Sequence, residues 1–303
     1  MISASQSSTL LLRASEHATQ LIEAIQRALA YAGRFQQAMS AATIIRYLDV
    51  RATPLVVNQT LAAGCGSYWR EQDGLYCLPG QEALFALTRQ RQHISQRQWR
   101  QAARWARVMA CAPFVRMLAV TGSLAMDNND AQGDIDYLVI SAPGRVWLAR
   151  LGLIGVVRVA RLWGVELCPN YVLSAEALRI EPAFFNAREL AQMRPLWGFD
   201  VYQQMLTLNS WRLQYLPAAE ASPALSNPAT PNRLGQALKR LGEWLLQGAV
   251  GNRLEAWERE RKIARLRQQP GANSPDVILS PEQCKGHFRG YSVAADHAYN
   301  AVL

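Results

Sequence analysis

The chain has 303 residues, half of them hydrophobic and 18% charged. That length allows two or three domains of about 100–200 residues, and the composition excludes a disordered or low-complexity chain. The formal net charge of +9, carried mostly by Arg, favours polyanionic partners such as nucleic acid or a nucleoside triphosphate.

The cysteines (Cys65, Cys77, Cys111, Cys168 and Cys284) form no CxxC pair and no zinc spacing. Reduced thiols in a cytoplasmic protein are therefore expected. The opening MISASQSSTLLLRASEH has neither a basic start nor a sufficient apolar run for a signal peptide. Residues 146–165 are the most apolar stretch, but Arg150, Arg158 and Arg161 interrupt it. Arginines are costly in lipid, so a buried or amphipathic helix is expected there and no membrane association.

In chain order, residues 15–33 place Leu21, Ile22, Ile25, Leu29 and Ala32 at helical spacing. A second helix is expected over 40–48 with Ser40 as its N-cap. A third starts at Thr53 with Pro54 in its first position and stops at Gly64. Asp73-Gly74 between Tyr68-Trp69 and Leu75-Tyr76-Cys77-Leu78 marks a β-hairpin. Three short helices followed by a hairpin is the order of a winged helix. The third helix carries Asn58, Gln59 and Thr60 but no Lys or Arg. Phosphate contacts need cations, so protein or intramolecular contacts are favoured over DNA binding.

Residues 81–113 read as a connector helix, with Trp99, Ala102, Ala106 and Met109 on one face. From 114 the pattern changes: a β-prone run, a Thr-Gly-Ser break, an Asn/Asp/Gly-rich loop, a strand beginning at Ile135, a helix over 144–163 and a strand over 165–173. This order predicts an α/β (α+β) core with a small mixed sheet. Helices are expected over 183–196, 198–211 and 233–268. A Pro-, Ala- and Ser-rich exposed linker is expected over 217–232. A last helix, holding His287 and His297, is expected from Ser280-Pro281 to Leu303.

The chemistry concentrates in AVTGSLAMDNNDAQGDIDYLVI. Gly122 lets a phosphate approach the backbone amides, and the Ser123 hydroxyl can add a hydrogen bond. Asp134 and Asp136 stand two apart at the start of a strand, so both carboxylates point to one side. That is a geometry for Mg²⁺ (or Mn²⁺), a hard cation that takes carboxylate, water and phosphate oxygens. Two such ions can activate an attacking hydroxyl and neutralise leaving pyrophosphate. Ile135, Tyr137 and Val139 would face the opposite way, onto helices.

The Gly122-Ser123 … Asp134-Ile135-Asp136 pattern resembles the nucleotidyltransferase superfamily related to DNA polymerase beta. The likeness covers about 60 residues, and the segments LCPNYVLS and LNSWRLQYLP resemble a less characterised bacterial group with that domain. The resemblance implies that Gly122 and Ser123 bind the triphosphate and that Asp134 and Asp136 ligate metal ions. It also implies a third carboxylate from a later strand. The row Glu166, Cys168, Asn170, Val172 offers only Glu166, which is the expected base.

The expected architecture is a winged-helix-like domain (1–80), a connector helix (81–113), a nucleotidyltransferase core (114–180) and a helical C-terminal domain (181–303) that closes over the nucleotide. The expected reaction transfers a nucleoside monophosphate from a nucleoside triphosphate to a hydroxyl of RNA, protein or a small molecule. The alternative is a catalytically degenerate core in a nucleotide-sensing or DNA-binding regulator.

Overall fold

The structure, a computed structural model, describes residues 4–219 and 229–286. Over these residues it is a mixed α+β protein with eleven helices and two sheets, of three and six strands. The described residues divide into two compact units, one of 4–90 with 211–219, the other of 91–210 with 229–286.

In the first unit, α1 (Ala4–Arg34) buries Leu21, Ile25, Leu29 and Ala32, the face its periodicity marks. After β1 (Met39–Ser40), Ser40 caps α2 (Ala41–Arg46) by accepting the Thr43 N–H. Thr53 caps α3 (Pro54–Gly64) in the same way through Val56 N–H. The hairpin pairs β2 (Arg70–Gln72) with β3 (Leu75–Cys77). Asp73 and Gly74 both have positive φ, 52° and 77°, the two-residue turn whose twist matches that of paired strands. β3 also pairs with β1, giving the order β1-β3-β2. Trp69 is fully buried, lies against Gly64, where a Cβ would come within 2.4 Å of its ring, and donates its indole N–H to Leu61 O.

α4 (Ala83–Met109) carries the chain onward. Ala102, Ala106 and Met109 are fully buried, as the expected helix face requires. The second unit then builds β4 (Val115–Val120), the single turn α5 (Gly122–Ala125), β5 (Ile135–Ser141), α6 (Val146–Leu162) and β6 (Leu167–Ser174). α7 (Phe184–Gln192), β7 (Arg194–Trp197) and α8 (Phe199–Leu208) follow, α9 (Arg212–Tyr215) belongs to the first unit, and α10 (Arg233–Leu245), α11 (Ala249–Leu266), β8 (Val277–Leu279) and β9 (Gln283–Gly286) complete the second. The sheet order is β7-β4-β5-β6-β9-β8. Only β5 and β6 are parallel, and α6 is the crossover that parallel neighbours need. Tyr137, fully buried, donates its hydroxyl to Ala102 O and ties β5 to α4.

Residues beyond 180 differ from expectation in three places. The helix expected over 183–196 stops at Gln192, and Arg194–Trp197 is a strand antiparallel to β4. Pro195 disfavours helical backbone at Arg194, and the extended form buries Leu196 completely. The helix expected from Ser280 is absent over 281–286, where Gln283–Gly286 is a strand. The Ser280 hydroxyl accepts from Glu282 and Gln283 N–H, forming the turn between β8 and β9, a role that Ser fills as readily as a helix cap. The remainder of that expected helix, with His287 and His297, lies outside the described residues. So do residues 220–228 of the expected linker, whose described ends are buried at Ala219 and Ala229.

α10 and α11 brace the sheet. Glu243 accepts Phe114 N–H at 2.7 Å and the Arg116 guanidinium at 2.7 Å. Lys239 donates to Ala110 O and Val115 O. These bonds hold Phe114 in a left-handed conformation, φ 67°, that a bulky residue seldom adopts. Glu255 accepts Trp147 and Leu148 N–H at 2.9 and 2.8 Å, so a carboxylate from α11 satisfies the otherwise unpaired first turn of α6. Among the described residues no helix is long and apolar enough to cross a membrane.

Candidate metal centre

The site forms where β4 ends beside the start of β5. Their antiparallel register pairs Val120 with Tyr137, and Thr121 N–H donates to Asp136 O at 3.0 Å. Gly122 therefore lies alongside Asp136. Its φ is +65°, and a Cβ there would stand 2.6 Å from Asp136 Oδ2. Glycine is required twice over, for the backbone conformation and for the carboxylate packed against it.

Ligand atoms of Asp134, Asp136 and Cys168 all lie within 4.8 Å of one another, with Asp134 exposed and the other two half-buried. Strand pleating thus brings the two aspartates to one place. Ile135, Tyr137 and Val139 point the other way, into the core that includes α6. The parallel register sets Cys168 beside Asp136. Between this pair and Leu138–Tyr171 the register shifts by one residue, a bulge of the kind that re-aims a side chain. The side chains of Cys168 and Asn170 stand beside the Asp136 carboxyl and favour its ionised form.

Burial pushes the Asp136 carboxyl up to about 8, the neighbouring charges of Asp134 and Glu189 push the same way, and Cys168 and Asn170 oppose them. The Cys168 thiol is raised by burial and then by the two aspartates, so it is a neutral neighbour of Asp136. Glu189, on α7, is raised to about 7 by burial, against the lowering charges of Lys285 and Arg188. A cation between the aspartates would relieve the burial and repulsion felt by Asp136.

Two converging carboxylates against a glycine cradle fit a hard divalent ion. Asp134 and Asp136 would hold the ion.

Ser123 opens the same turn, but its hydroxyl is given to Asn129 Oδ1 at 2.7 Å. Asn129, buried, also donates from Nδ2 to Asp134 O at 3.0 Å and from its own N–H to Ser95 Oγ. Gly133 makes room for it, since a Cβ there would sit 2.1 Å from Asn129 Oδ1. Asn129 is thus the link that fixes the Gly122–Ser123 turn relative to the aspartates. Farther along the loop, Asp127 accepts Trp99 Nε1 at 2.6 Å and Arg194 at 2.9 Å, with Arg194 stacked 5.0 Å over the Trp99 ring.

Glu166 is not brought to this centre. It precedes β6, is exposed, and takes Arg161 through both carboxylate oxygens. Its backbone O accepts Ile135 N–H, so its main chain serves the ladder while its side chain points elsewhere. The sequence reading gave Asn129, Asn170, Cys168 and Glu189 no role. Cys168 and Asn170 stand in the strand row already drawn, and their uncharged chemistry concealed them. Asn129 and Glu189 carry no local signal.

Compared with known proteins, the chain matches no family model, and no curated protein or solved structure matches it.

Proposed function

We propose that the chain is a metal-dependent nucleotidyltransferase, transferring a nucleoside monophosphate from a nucleoside triphosphate to a hydroxyl acceptor with release of pyrophosphate. The observation that carries this reading is the convergence of Asp134 and Asp136 beside Gly122. A bound Mg²⁺ or Mn²⁺ supplies charge neutralisation of the triphosphate and of the leaving group. Asp134 and Asp136 hold the ion, Cys168 and Asn170 orient Asp136, and Asn129 fixes the turn on which the phosphates rest. The acceptor is RNA, protein or a small molecule, and the chain's +9 charge favours a polyanion.

The first unit's element order and its β1-β3-β2 sheet support a winged-helix-like module. The exposed face of α3 carries Leu55, Val56, Asn58 and Gln59 without a cation, which favours protein contacts over DNA.

One observation favours a second reading, a nucleotide-binding regulator with a degenerate core. Where the resemblance implies a third carboxylate, the strand presents Cys168 and Asn170, and Glu166 is engaged by Arg161. The two readings separate on incubation of the chain with each labelled nucleoside triphosphate, Mg²⁺ or Mn²⁺, and cellular RNA or lysate. Transfer predicts incorporated label that falls at least about 100-fold in Asp136→Ala, the scale of losing a transition-state charge stabiliser. Saturable nucleotide binding without incorporation establishes the regulator, and absence of both removes the phosphate-binding reading.

A further inference from the structure

We infer that the outward face of α10 is a self-association surface through which two copies of this chain pair. Leu234, Leu238, Leu241 and Leu245 recur at spacings of four, three and four, with Trp244 beside them. All lie on one side of the helix, and all are exposed. This is not a core face left open by poor packing. α10 is already seated on its own sheet by a different side: a Cβ at Gly235 would meet Cys111 Sγ at 2.3 Å, one at Gly242 would meet Pro113 at 2.6 Å, and Lys239 and Glu243 bind the start of β4. The leucine stripe is surplus to what holds the helix.

Two properties select a second copy as the occupant. The first is area. At 53–69% exposure, those five residues leave roughly 650 Å² open, most of the ~800 Å² each partner gives to a stable interface and at the top of the ~300–600 Å² of a monomer's largest apolar patch. The second is the seam. Leucines at 4-3-4 spacing are the core positions of paired helices, and the positions flanking them set which helices pair. Here the flanks left open are Ala237 and Trp244, since Gly235 and Gly242 on the other edge are turned to Cys111 and Pro113. Neither is charged, so an identical helix meets no like charge across the seam. Arg233 and Arg240 fall outside it. A twofold axis near the middle of the stripe sets the same patch against itself, with the two α10 helices antiparallel.

The test is sedimentation equilibrium of the full chain from about 1 to 100 µM, the span of a modest homodimer. The mass should move from one chain toward two with concentration. The double variant Leu238→Glu/Leu241→Glu should stay monomeric, its dimer constant weakened at least about 100-fold by carboxylates desolvated at the seam, with circular dichroism unchanged. Leu238→Met/Leu241→Met, which keeps the seam apolar, should still dimerise. Wild type that stays monomeric throughout overturns the proposal, as does a glutamate variant that dimerises like wild type. Monomeric chain binding anionic phospholipid vesicles through the same leucines also overturns it and makes the face a lipid contact.

Discussion

β5 receives its two neighbours by different means, and the contrast explains the acidic centre. On the β4 side the chain turns back on itself through the loop 121–134, so Gly122, Asp134 and Asp136 are set by one antiparallel register and by Asn129, which Ser95 also holds. On the β6 side the neighbour arrives after a 17-residue helix, in parallel, with a register shift just beyond Cys168. A local turn writes its geometry into residue spacing. A distant strand contributes whichever side chain its register and bulge present, and here that is a thiol and an amide.

The largest effect is expected on the β4 side. Gly122→Ala needs a left-handed backbone and displaces the Asp136 carboxylate, so a loss of about 2–4 kcal/mol is expected in denaturant unfolding. A loss of no more than about 0.5 kcal/mol would mean that Gly122 is not what seats the Asp136 carboxylate. Asn129→Ala leaves the Ser123 hydroxyl and Asp134 carbonyl without their partner. The expected cost is about 1–3 kcal/mol, and Asn129→Asp should not restore it, because the donor to Asp134 O is lost.

The pH dependence sharpens the same comparison. A carboxyl whose folded pKa is about 8, against about 3.9 unfolded, stabilises the fold while protonated. That contribution is complete below the unfolded value and is lost as pH rises through the folded one. With divalent ions chelated, the melting temperature should fall from pH ~4 toward pH ~8, with Glu189 adding a slope of the same sign up to about 7. Asp136→Asn should flatten most of that slope. A profile that rises over this interval contradicts the burial of Asp136.

The smallest effect is expected at Glu166. An exposed ion pair contributes little, so Glu166→Gln should leave both melting temperature and nucleotide incorporation as in wild type. A large drop in incorporation would return the base to the β6 side and undo the contrast.

Much of the fold was legible because it rests on short-range chemistry. Ser40 and Thr53 cap the helices they were expected to cap, and Asp73-Gly74 makes its turn. The convergence of Asp134 with Asp136 follows from pleating alone. What could not be read depends on remote partners. β7 and β9 are short runs whose strand character comes from pairing with β4 and β6. Glu189 adds its charge to the surroundings of Asp136 from α7, and nothing near it in sequence marks it. Glu166 was legible as an acid, but its direction was not, since that depends on where β6 begins.

The cap that Glu255 places on α6, and the strand β9 that closes against β6, both come late in the chain. During synthesis, the ribosome releases β4, α5 and β5 long before either arrives. The second unit cannot complete its sheet until residue 286 has cleared the exit tunnel, whereas residues 39–77 already contain every strand of the smaller sheet. A stalled or truncated product ending near residue 210 would therefore expose the open edge of β6, the type of edge that recruits foreign strands.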